Sequence, residues 1–105
     1  MSEVWMVLST FENEESGKRV ARELVEQQLV TCVNLLPGAT SLYRWEGKVC
    51  EENEVVALMK TTSVGYSRLE ERLAELHPYD EPEILAIPAA AGSEGYLDFV
   101  KRGVK

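Results

Sequence analysis

The dipeptide Glu46-Gly47 stands between two long runs of strand-forming residues, and it constrains the fold more than any other feature of the sequence. Residues 40–45 precede the dipeptide and residues 48–60 follow it. A two-residue connection that ends in glycine favours a β-hairpin, because glycine readily adopts the positive φ angles of tight hairpin turns. The sequence therefore predicts a long two-stranded ribbon in the middle of the chain.

A turn at this position determines which residues face each other along the ribbon. Trp45 is predicted to lie opposite Lys48, and Tyr43 opposite Cys50. Side chains alternate between the two sides of a strand, so these four side chains share one face. The same register places Cys32 far from Cys50 along the ribbon, beyond the reach of a disulfide. We therefore expect two free thiols.

The hydrophobic period changes along the first half of the chain in the order strand, helix, strand. Residues 4–8 form a short apolar run that is typical of a central strand. Asn13 is placed to cap a helix over residues 14–28. A second strand is predicted over residues 29–35, with a break or bulge at positions 37–38, where proline cannot donate to the ladder.

The second half continues with strand, helix and strand. The second strand of the hairpin comes first, and Thr62 or Ser63 is then predicted to cap a second helix. Pro78 ends this helix, because a proline cannot continue it. A last strand is predicted over residues 83–87, and a short C-terminal helix follows Ser93.

The resulting βαββαβ order predicts the α+β fold class. The architecture is a ferredoxin-like sandwich with helices on one face of an antiparallel sheet, a long hairpin between its second and third strands, and a short C-terminal helix. The first and third strands, the most continuously apolar, are expected to be central. The second and fourth carry Pro37 and Pro88, as edge strands can. With 105 residues the chain has room for one domain, assigned to residues 1–105.

Charge and composition exclude several classes of function. Asp and Glu outnumber Lys and Arg by 18 to 11 and give a net charge of −7, which disfavours binding to the phosphates of nucleic acids. Two cysteines are too few for an iron–sulfur cluster, and no apolar stretch is long enough to span a membrane. The first ten residues lack the basic region of a signal peptide, so we expect a cytoplasmic protein.

Three residues have side chains that bind metal ions, although their spacing matches no metal motif: Cys32, Cys50 and His77. The alternative for Cys32 is a small buried side chain on a strand, and the alternative for Cys50 is an exposed thiol. For His77 the alternative is a cation at a helix terminus. Tyr43 and Trp45 are suited either to stacking on a ligand or to packing against another subunit.

Three segments of the sequence resemble the CutA family, which is known for divalent-cation tolerance. They are residues 31–49 (TCVNLLPGATSLYRWEGKV), 57–62 (ALMKTT) and 76–88 (LHPYDEPEILAIP). The resemblance extends over residues 4–100, which is nearly the whole chain. Two departures are a first loop without the proline common in the family and Phe99 where a tryptophan is usual. Neither departure touches the central segments.

The resemblance implies a trimer of ferredoxin-like subunits, similar in architecture to the PII nitrogen-signalling proteins. It also implies association with copper and other divalent cations, and a cleft between subunits. Carried over to this chain, the candidate metal ligands are Cys32 and His77. The other candidate residues of the cleft are Tyr43, Trp45, Glu54, Lys60, Tyr79 and Glu83. His77 follows a buried helical stripe and precedes Pro78, so we expect it in the cleft and outside the folding core.

We therefore expect a cytoplasmic homotrimer, held largely by the long hairpin, that binds copper or another divalent metal ion, or a small ligand, at inter-subunit clefts in response to metal ions. The alternative is a PII-like trimeric signalling or scaffold protein that binds a protein partner. An enzyme with His77 and Glu83 as acid and base is the least favoured interpretation, and we do not expect catalysis. Neither nucleic acid nor a membrane is expected as a partner.

Overall fold

The computed structural model describes residues 3–105 and contains the strands and helices in the predicted order. They are β1 (Val4–Phe11), α1 (Glu14–Glu26), β2 (Cys32–Trp45), β3 (Lys48–Thr62), α2 (Tyr66–Leu76), β4 (Leu85–Pro88) and α3 (Glu94–Gly103). The strands form one antiparallel sheet in the order β2-β3-β1-β4. The α+β, ferredoxin-like prediction is confirmed, with β1 and β3 central and β2 and β4 at the edges.

The helices α1 and α3 begin at the predicted caps. The side chain of Asn13 accepts a hydrogen bond from the backbone N–H of Ser16 at 2.8 Å. The Ser93 hydroxyl accepts one from the backbone N–H of Tyr96 at 3.4 Å. These bonds satisfy N–H groups that have no partner inside the first turn of a helix. Local sequence is therefore sufficient to locate both helix starts.

The predicted cap of α2 is wrong. Neither Thr62 nor Ser63 is the N-cap, because Thr62 is still part of β3 and the helix begins after Gly65. The hydroxyl of Thr62 instead accepts a hydrogen bond from the N–H of Gly65 at 3.0 Å, inside the turn between strand and helix. A Cβ at Gly65 would lie 2.8 Å from the side chain of Val104, so the close approach of the C-terminal segment requires glycine.

Both edge strands begin later than predicted. β2 starts at Cys32 rather than Leu29, because the N–H of Leu29 bonds to the carbonyl of Leu24 and closes the end of α1. β4 starts at Leu85 and includes Pro88. Proline is tolerated there, since an edge strand has one side that pairs with no neighbour in the sheet.

The hairpin between β2 and β3 turns at the predicted residues. Glu46 and Gly47 have φ angles of 51° and 79°, the signs that a type I′ turn requires. The predicted pairs are observed: Trp45 with Lys48 and Tyr43 with Cys50. Both cysteines of the chain are free, as predicted.

A bulge interrupts β2 at the predicted Pro-Gly pair. Leu36 pairs with Val56 and Ala39 pairs with Glu54, so β2 contains one more residue than β3 between these two pairs. The extra residue is accommodated at Gly38, whose φ angle is 85°. The bulge separates the part of the hairpin that belongs to the sheet from the ribbon that extends beyond it.

The sheet has one face covered by α1 and α2 and one face that we call the open face. The covered face packs on the helices around a core whose fully buried members include Val7, Phe11, Val20, Leu24, Ala57, Met59, Leu69 and Leu73. The open face carries the alternate residues of the paired strands, namely Met6, Leu8, Leu36, Val56, Leu58, Leu85 and Ile87. Of these, Leu36, Leu85 and Ile87 are 45%, 57% and 43% exposed.

Candidate functional site

The structure brings Glu54, His77 and Tyr79 together at the base of the hairpin ribbon. The hydroxyl of Tyr79 donates a hydrogen bond to a carboxylate oxygen of Glu54 at 2.7 Å. The backbone N–H of Tyr79 donates to Nδ1 of His77 at 3.1 Å. β3 therefore contacts the segment between α2 and β4 through residues that the sequence singled out, and we call these three residues the His77 cluster.

The prediction that His77 lies outside the folding core is wrong. Its side chain is only 7% exposed. Its ring stacks on Phe11, a core residue, with a centroid separation of 4.4 Å and an interplanar angle of 15°. Tyr79 packs on the ring as well, at 4.8 Å. The backbone of His77 is extended where α2 ends, and this directs the ring to the end of β1.

Both ring nitrogens of His77 have hydrogen-bond partners. Because Nδ1 accepts from the N–H of Tyr79, Nε2 carries the proton and donates to the carbonyl oxygen of Thr10 at 2.8 Å. Burial lowers the pKa of His77 from its usual 6.5, although the Thr10 carbonyl and the Glu54 carboxylate act in the opposite direction. The ring is therefore neutral at pH 7. A metal ion can bind Nδ1 only if the amide of Tyr79 moves away.

Two tyrosines at this end of the molecule donate to carboxylates. Burial, the bond to Glu54 and the charges of nearby glutamates raise the pKa of Tyr79. Tyr43 donates to Glu52 across the ribbon, and this bond raises the pKa of Tyr43 to about 12. Both hydroxyls therefore stay protonated at physiological pH. They can donate to a carboxylate or to a ligand that replaces it.

Cys32 and Lys60 lie at the other end of the open face. They pair with each other across β2 and β3, and Lys60 donates to the side chain of Asn34. The Cys32 sulfur lies 3.5 Å from the hydroxyl of Tyr96 on α3, and this contact is the largest cause that raises the pKa of Tyr96. Tyr96 is not among the residues predicted for the site, and no spacing in the sequence links it to Cys32.

The two candidate metal ligands are far apart within one chain. Cys32 pairs with Lys60, which pairs with Met6 of β1, whereas His77 contacts Thr10 of the same strand. Four residues of strand separate these positions, about 13 Å at the usual rise. Among residues 3–105, no three His, Cys, Asp or Glu side chains form a group that could hold a metal ion.

The remaining candidates, Trp45 and Glu83, lie outside the His77 cluster. Trp45 is at the hairpin tip and is 54% exposed. Glu83 is exposed in the segment before β4, and it makes no hydrogen bond or ion pair with the residues that the structure describes. Sequence reasoning missed Thr10 and Phe11 as partners of His77, because nothing in the local sequence marks a contact with a residue more than sixty positions away.

The sheet order, the helices on one face and the long hairpin define a ferredoxin-like α+β protein of PII-like architecture. The model of the family described as CutA1 divalent ion tolerance protein matches residues 5–103, and the chain belongs to this family. The resemblance noted in the sequence is thereby confirmed.

Individual relatives agree with this assignment. The divalent-cation tolerance protein CutA of Thermus thermophilus is 48% identical over 96 residues, covering 91% of this chain and 93% of that protein. The chloroplastic protein CutA of Arabidopsis thaliana is 38% identical over 100 residues, covering 95% of this chain but 55% of that protein.

Solved structures show the same fold. A divalent cation tolerance protein from Thermus thermophilus superposes with a TM-score of 0.94 and 44% identity, covering 97% of this chain and 99% of that one. The PII-like protein CutA from Nostoc superposes with a TM-score of 0.89 and 43% identity, covering 96% and 97%.

Proposed function

We propose that this chain assembles into a cytoplasmic homotrimer that binds copper or another divalent metal ion, or a small ligand, at clefts between subunits and so takes part in tolerance of metal excess. Membership of the divalent ion tolerance family supports the role. The proposal does not include catalysis. Of the two residues considered as acid and base, His77 has both ring nitrogens engaged, and Glu83 has no hydrogen bond or ion pair among the described residues.

The separation of the candidate ligands is the observation that carries the inter-subunit part of the proposal. Cysteine sulfur and histidine nitrogen suit copper and zinc. Protein sites for such ions generally use three or four protein ligands, and residues 3–105 of a single chain do not supply such a group. Cys32 and His77 can therefore contribute to one ion only if a second subunit completes the ligand set.

The open face supports assembly. It carries three aliphatic side chains with nearly half or more of their surface exposed, Leu36, Leu85 and Ile87. The half-buried apolar side chains of β1 and β3 lie between them on the same face, and an apolar surface that extends across a sheet in this way marks a contact with another molecule. The outer edges of β2 and β4 also lack a partner within the sheet, and unpaired edges invite association. A three-membered ring is the state that the family resemblance implies.

Metal titration of the stripped protein tests the proposal. Protein treated with a chelator is titrated with Zn²⁺ and Cu²⁺ in the presence of a competing chelator, and native mass spectrometry reports the bound ions for each oligomer. We expect the ions on the trimer, with affinity lowered about tenfold or more in Cys32→Ser and in His77→Gln. Cys50→Ser is the matched control and should bind as the wild type does. Equal loss in all three variants, or equal binding to the monomer, contradicts the proposed site.

A PII-like scaffold is the second candidate function, and the similarity to the Nostoc protein described as PII-like favours it. In this case the trimer binds a protein partner instead of storing or sensing the ion itself. Affinity capture from metal-stressed cells, with the tagged chain as bait, separates the two functions. A stoichiometric partner supports the scaffold, and metal bound to the captured trimer without a partner supports direct binding.

The cytoplasmic location is also part of the proposal. None of the helices within residues 3–105 combines the length and apolar character that a bilayer span requires. The Arabidopsis relative is described as chloroplastic, and a protein of Archaeoglobus fulgidus with 30% identity is described as periplasmic. Fractionation of the source cells against marker proteins tests the location directly.

A further inference from the structure

The helix α3 is attached to the residue that precedes Cys32. The hydroxyl of Thr31 donates a hydrogen bond to the carbonyl of Val100 on α3, and the backbone N–H of Thr31 donates to the carbonyl of Lys60 at 2.9 Å. A Cβ at Gly103 would lie 2.5 Å from the Thr31 hydroxyl, so this close approach of helix and strand requires glycine. Thr31 therefore fixes the position of α3 relative to Cys32.

This attachment brings a tyrosine hydroxyl to the sulfur of Cys32. The hydroxyl oxygen of Tyr96 lies 3.5 Å from Sγ of Cys32, a separation that allows a hydrogen bond to a sulfur atom. The backbone N–H of Tyr96 donates to the hydroxyl of Ser93 at the start of the helix. Its ring packs on Phe99 with a centroid separation of 5.7 Å. Because the backbone and the ring are both held, the hydroxyl is directed at the sulfur before any ion binds.

Lys60 is the other donor beside Cys32, but its ammonium group has a different partner. Lys60 and Cys32 pair across β3 and β2, so their side chains share the open face. The ammonium group of Lys60 donates to the side-chain oxygen of Asn34, two residues further along β2. Among residues 3–105, it is the side chain of Tyr96 that places a polar atom within hydrogen-bonding distance of the Cys32 sulfur.

Metal binding determines the direction of the hydrogen bond between Tyr96 and Cys32. A neutral thiol can donate its own proton or accept one from a hydroxyl. Cysteine binds metal ions as the thiolate, whose sulfur has no proton and can only accept. A tyrosine hydroxyl keeps its proton at neutral pH and is available as the donor. Because the acceptor is then charged, this bond is stronger than one to a neutral thiol.

We infer that Tyr96 is a positioning residue for the metal site, whose hydroxyl donates a hydrogen bond to the sulfur of Cys32 and orients this sulfur towards the ion. The inference rests on the proposed binding of a metal ion by Cys32 and adds a residue of α3 to that site. Tyr96 is not itself a ligand, because its hydroxyl keeps the proton that it donates. Groups that hydrogen-bond to a metal ligand in this way typically change the affinity by ten- to a hundredfold.

Infrared spectroscopy of the metal-free protein tests the contact itself. Cys50→Ser leaves Cys32 as the remaining thiol and serves as the background for the other variants. Tyr96→Phe removes the hydroxyl but keeps the ring, and it should shift the S–H stretching frequency of Cys32. Tyr66→Phe is the matched control, because the ring of Tyr66 packs on Trp5 and its hydroxyl is bonded to another group. An S–H band that Tyr96→Phe leaves in place overturns the inference, whether or not the protein binds metal.

Metal binding by the same variants tests the role of the contact. In a competition titration with Zn²⁺, Tyr96→Phe should lower the affinity about tenfold, and Tyr66→Phe should leave it close to that of the background. Co²⁺ in place of Zn²⁺ gives a sulfur-to-metal charge-transfer band. This band should move to lower energy in Tyr96→Phe, because the sulfur loses a hydrogen bond that stabilises its lone pairs. A purely structural role of Tyr96 would lower stability without moving the band.

The outcomes separate failure of the inference from failure of the proposed function. Equal affinity for Zn²⁺ and an unmoved Co²⁺ band in Tyr96→Phe, when the background protein binds both ions, overturn the inference alone. Equal effects of Tyr96→Phe and Tyr66→Phe also overturn it, because they indicate general damage. A wild type that takes up no ion instead contradicts the proposed metal binding, and the inference with it.

Discussion

The covered face and the open face belong to the same four strands of the sheet but reach different degrees of burial. On the covered face Val7 and Met59 are 0% and 1% exposed. On the open face Leu36 and Leu85 keep 45% and 57% of their surface in solvent. The hydrogen bonds of the sheet hold both sets in place, so the difference comes from α1 and α2, which pack on the covered face.

This difference explains the continuous apolar runs of β1 and β3. A strand with one face in solvent shows alternating polar and apolar residues, whereas a strand buried on both faces does not alternate. The runs are therefore typical of strands that are buried on both faces. Within one chain, α1 and α2 bury only the covered face.

Leu73→Ala should cause the largest loss of stability. Leu73 is fully buried in α2 against the covered face, and removal of such a side chain costs about 2–5 kcal/mol through lost burial and the cavity left behind. Chemical denaturation at a fixed protein concentration measures the free energy of unfolding. Leu85→Ala makes the same truncation on the open face and should cost the isolated subunit much less. Equal losses would mean that the two faces do not differ as described.

Replacing Leu85 and Ile87 together by serine should weaken assembly and leave the fold of the subunit intact. Each side chain is about half exposed, and burying the remainder against a second subunit contributes about 1 kcal/mol. Sedimentation at several concentrations reports the change in subunit association. Val64→Ser is the control, because Val64 is 82% exposed but lies in the turn before α2. A double variant that associates as tightly as the wild type would count against the open face as a contact.

Because His77 is buried against the core, the free energy of unfolding of the protein should depend on pH. Burial lowers the pKa of His77 in the folded protein, so the unfolded chain binds more protons once the pH falls below about 6.5. The contribution of this residue is therefore present above pH 6.5 and is lost as the pH falls towards the folded pKa. His77→Phe keeps the stacking on Phe11 but does not titrate.

Unfolding of the wild type and of His77→Phe, measured between about pH 7.5 and 5 in metal-free buffer, isolates this contribution. The advantage of the wild type over the variant should shrink as the pH is lowered. A difference in the free energy of unfolding that stays constant or grows towards acid pH would show that the folded protein does not favour the neutral form of His77.

Two buried hydroxyls on the covered face should give the smallest effects, with opposite signs. Ser9 is fully buried, and its hydroxyl has no hydrogen-bond partner among the described residues. Thr61 is equally buried, but its hydroxyl donates to the carbonyl of Leu29 at 2.8 Å. Thr61→Val should therefore destabilise by about 1 kcal/mol, whereas Ser9→Ala should be neutral or stabilise by up to about 1 kcal/mol. Destabilisation of more than this by Ser9→Ala would indicate a partner for its hydroxyl.

The parts of the fold that could be predicted depend on local chemistry. Glu46-Gly47 specifies its own turn, Asn13 its own helix cap, and Pro37 and Pro88 are incompatible with central strands. Alternation along the strands then determines which residues share a face. Even so, the prediction for the cap of α2 is wrong, because the strand before it extends to Thr62 and a turn, closed by the bond from the N–H of Gly65 to the Thr62 hydroxyl, separates the strand from the helix.

The candidate site could be predicted only in part, because its contacts join distant positions. The link between Glu54 and Tyr79 connects two singled-out residues that lie 25 positions apart. The burial of His77 depends on contacts with Thr10 and Phe11 of β1, which are more than sixty positions away. Ligands that a second subunit contributes to a metal site cannot be identified from the strand pairing within one chain. The assignment of Cys32 and His77 as metal ligands therefore stays a prediction.

The bulge between Leu36 and Ala39 divides the hairpin into two segments that differ in how they tolerate changes of length. Beyond the bulge the ribbon extends past β1, whose last pair is Phe11 with Val55. Lengthening or shortening both strands equally in this ribbon leaves the register of the sheet unchanged. Deleting one residue within the first part of β2, before Leu36, instead slips the residues that precede the deletion by one position and exchanges their two faces, whereas deleting one of the two residues at positions 37–38 removes only the bulge. In protein engineering terms, the ribbon is a replaceable module, and the bulge is the junction at which it can be exchanged.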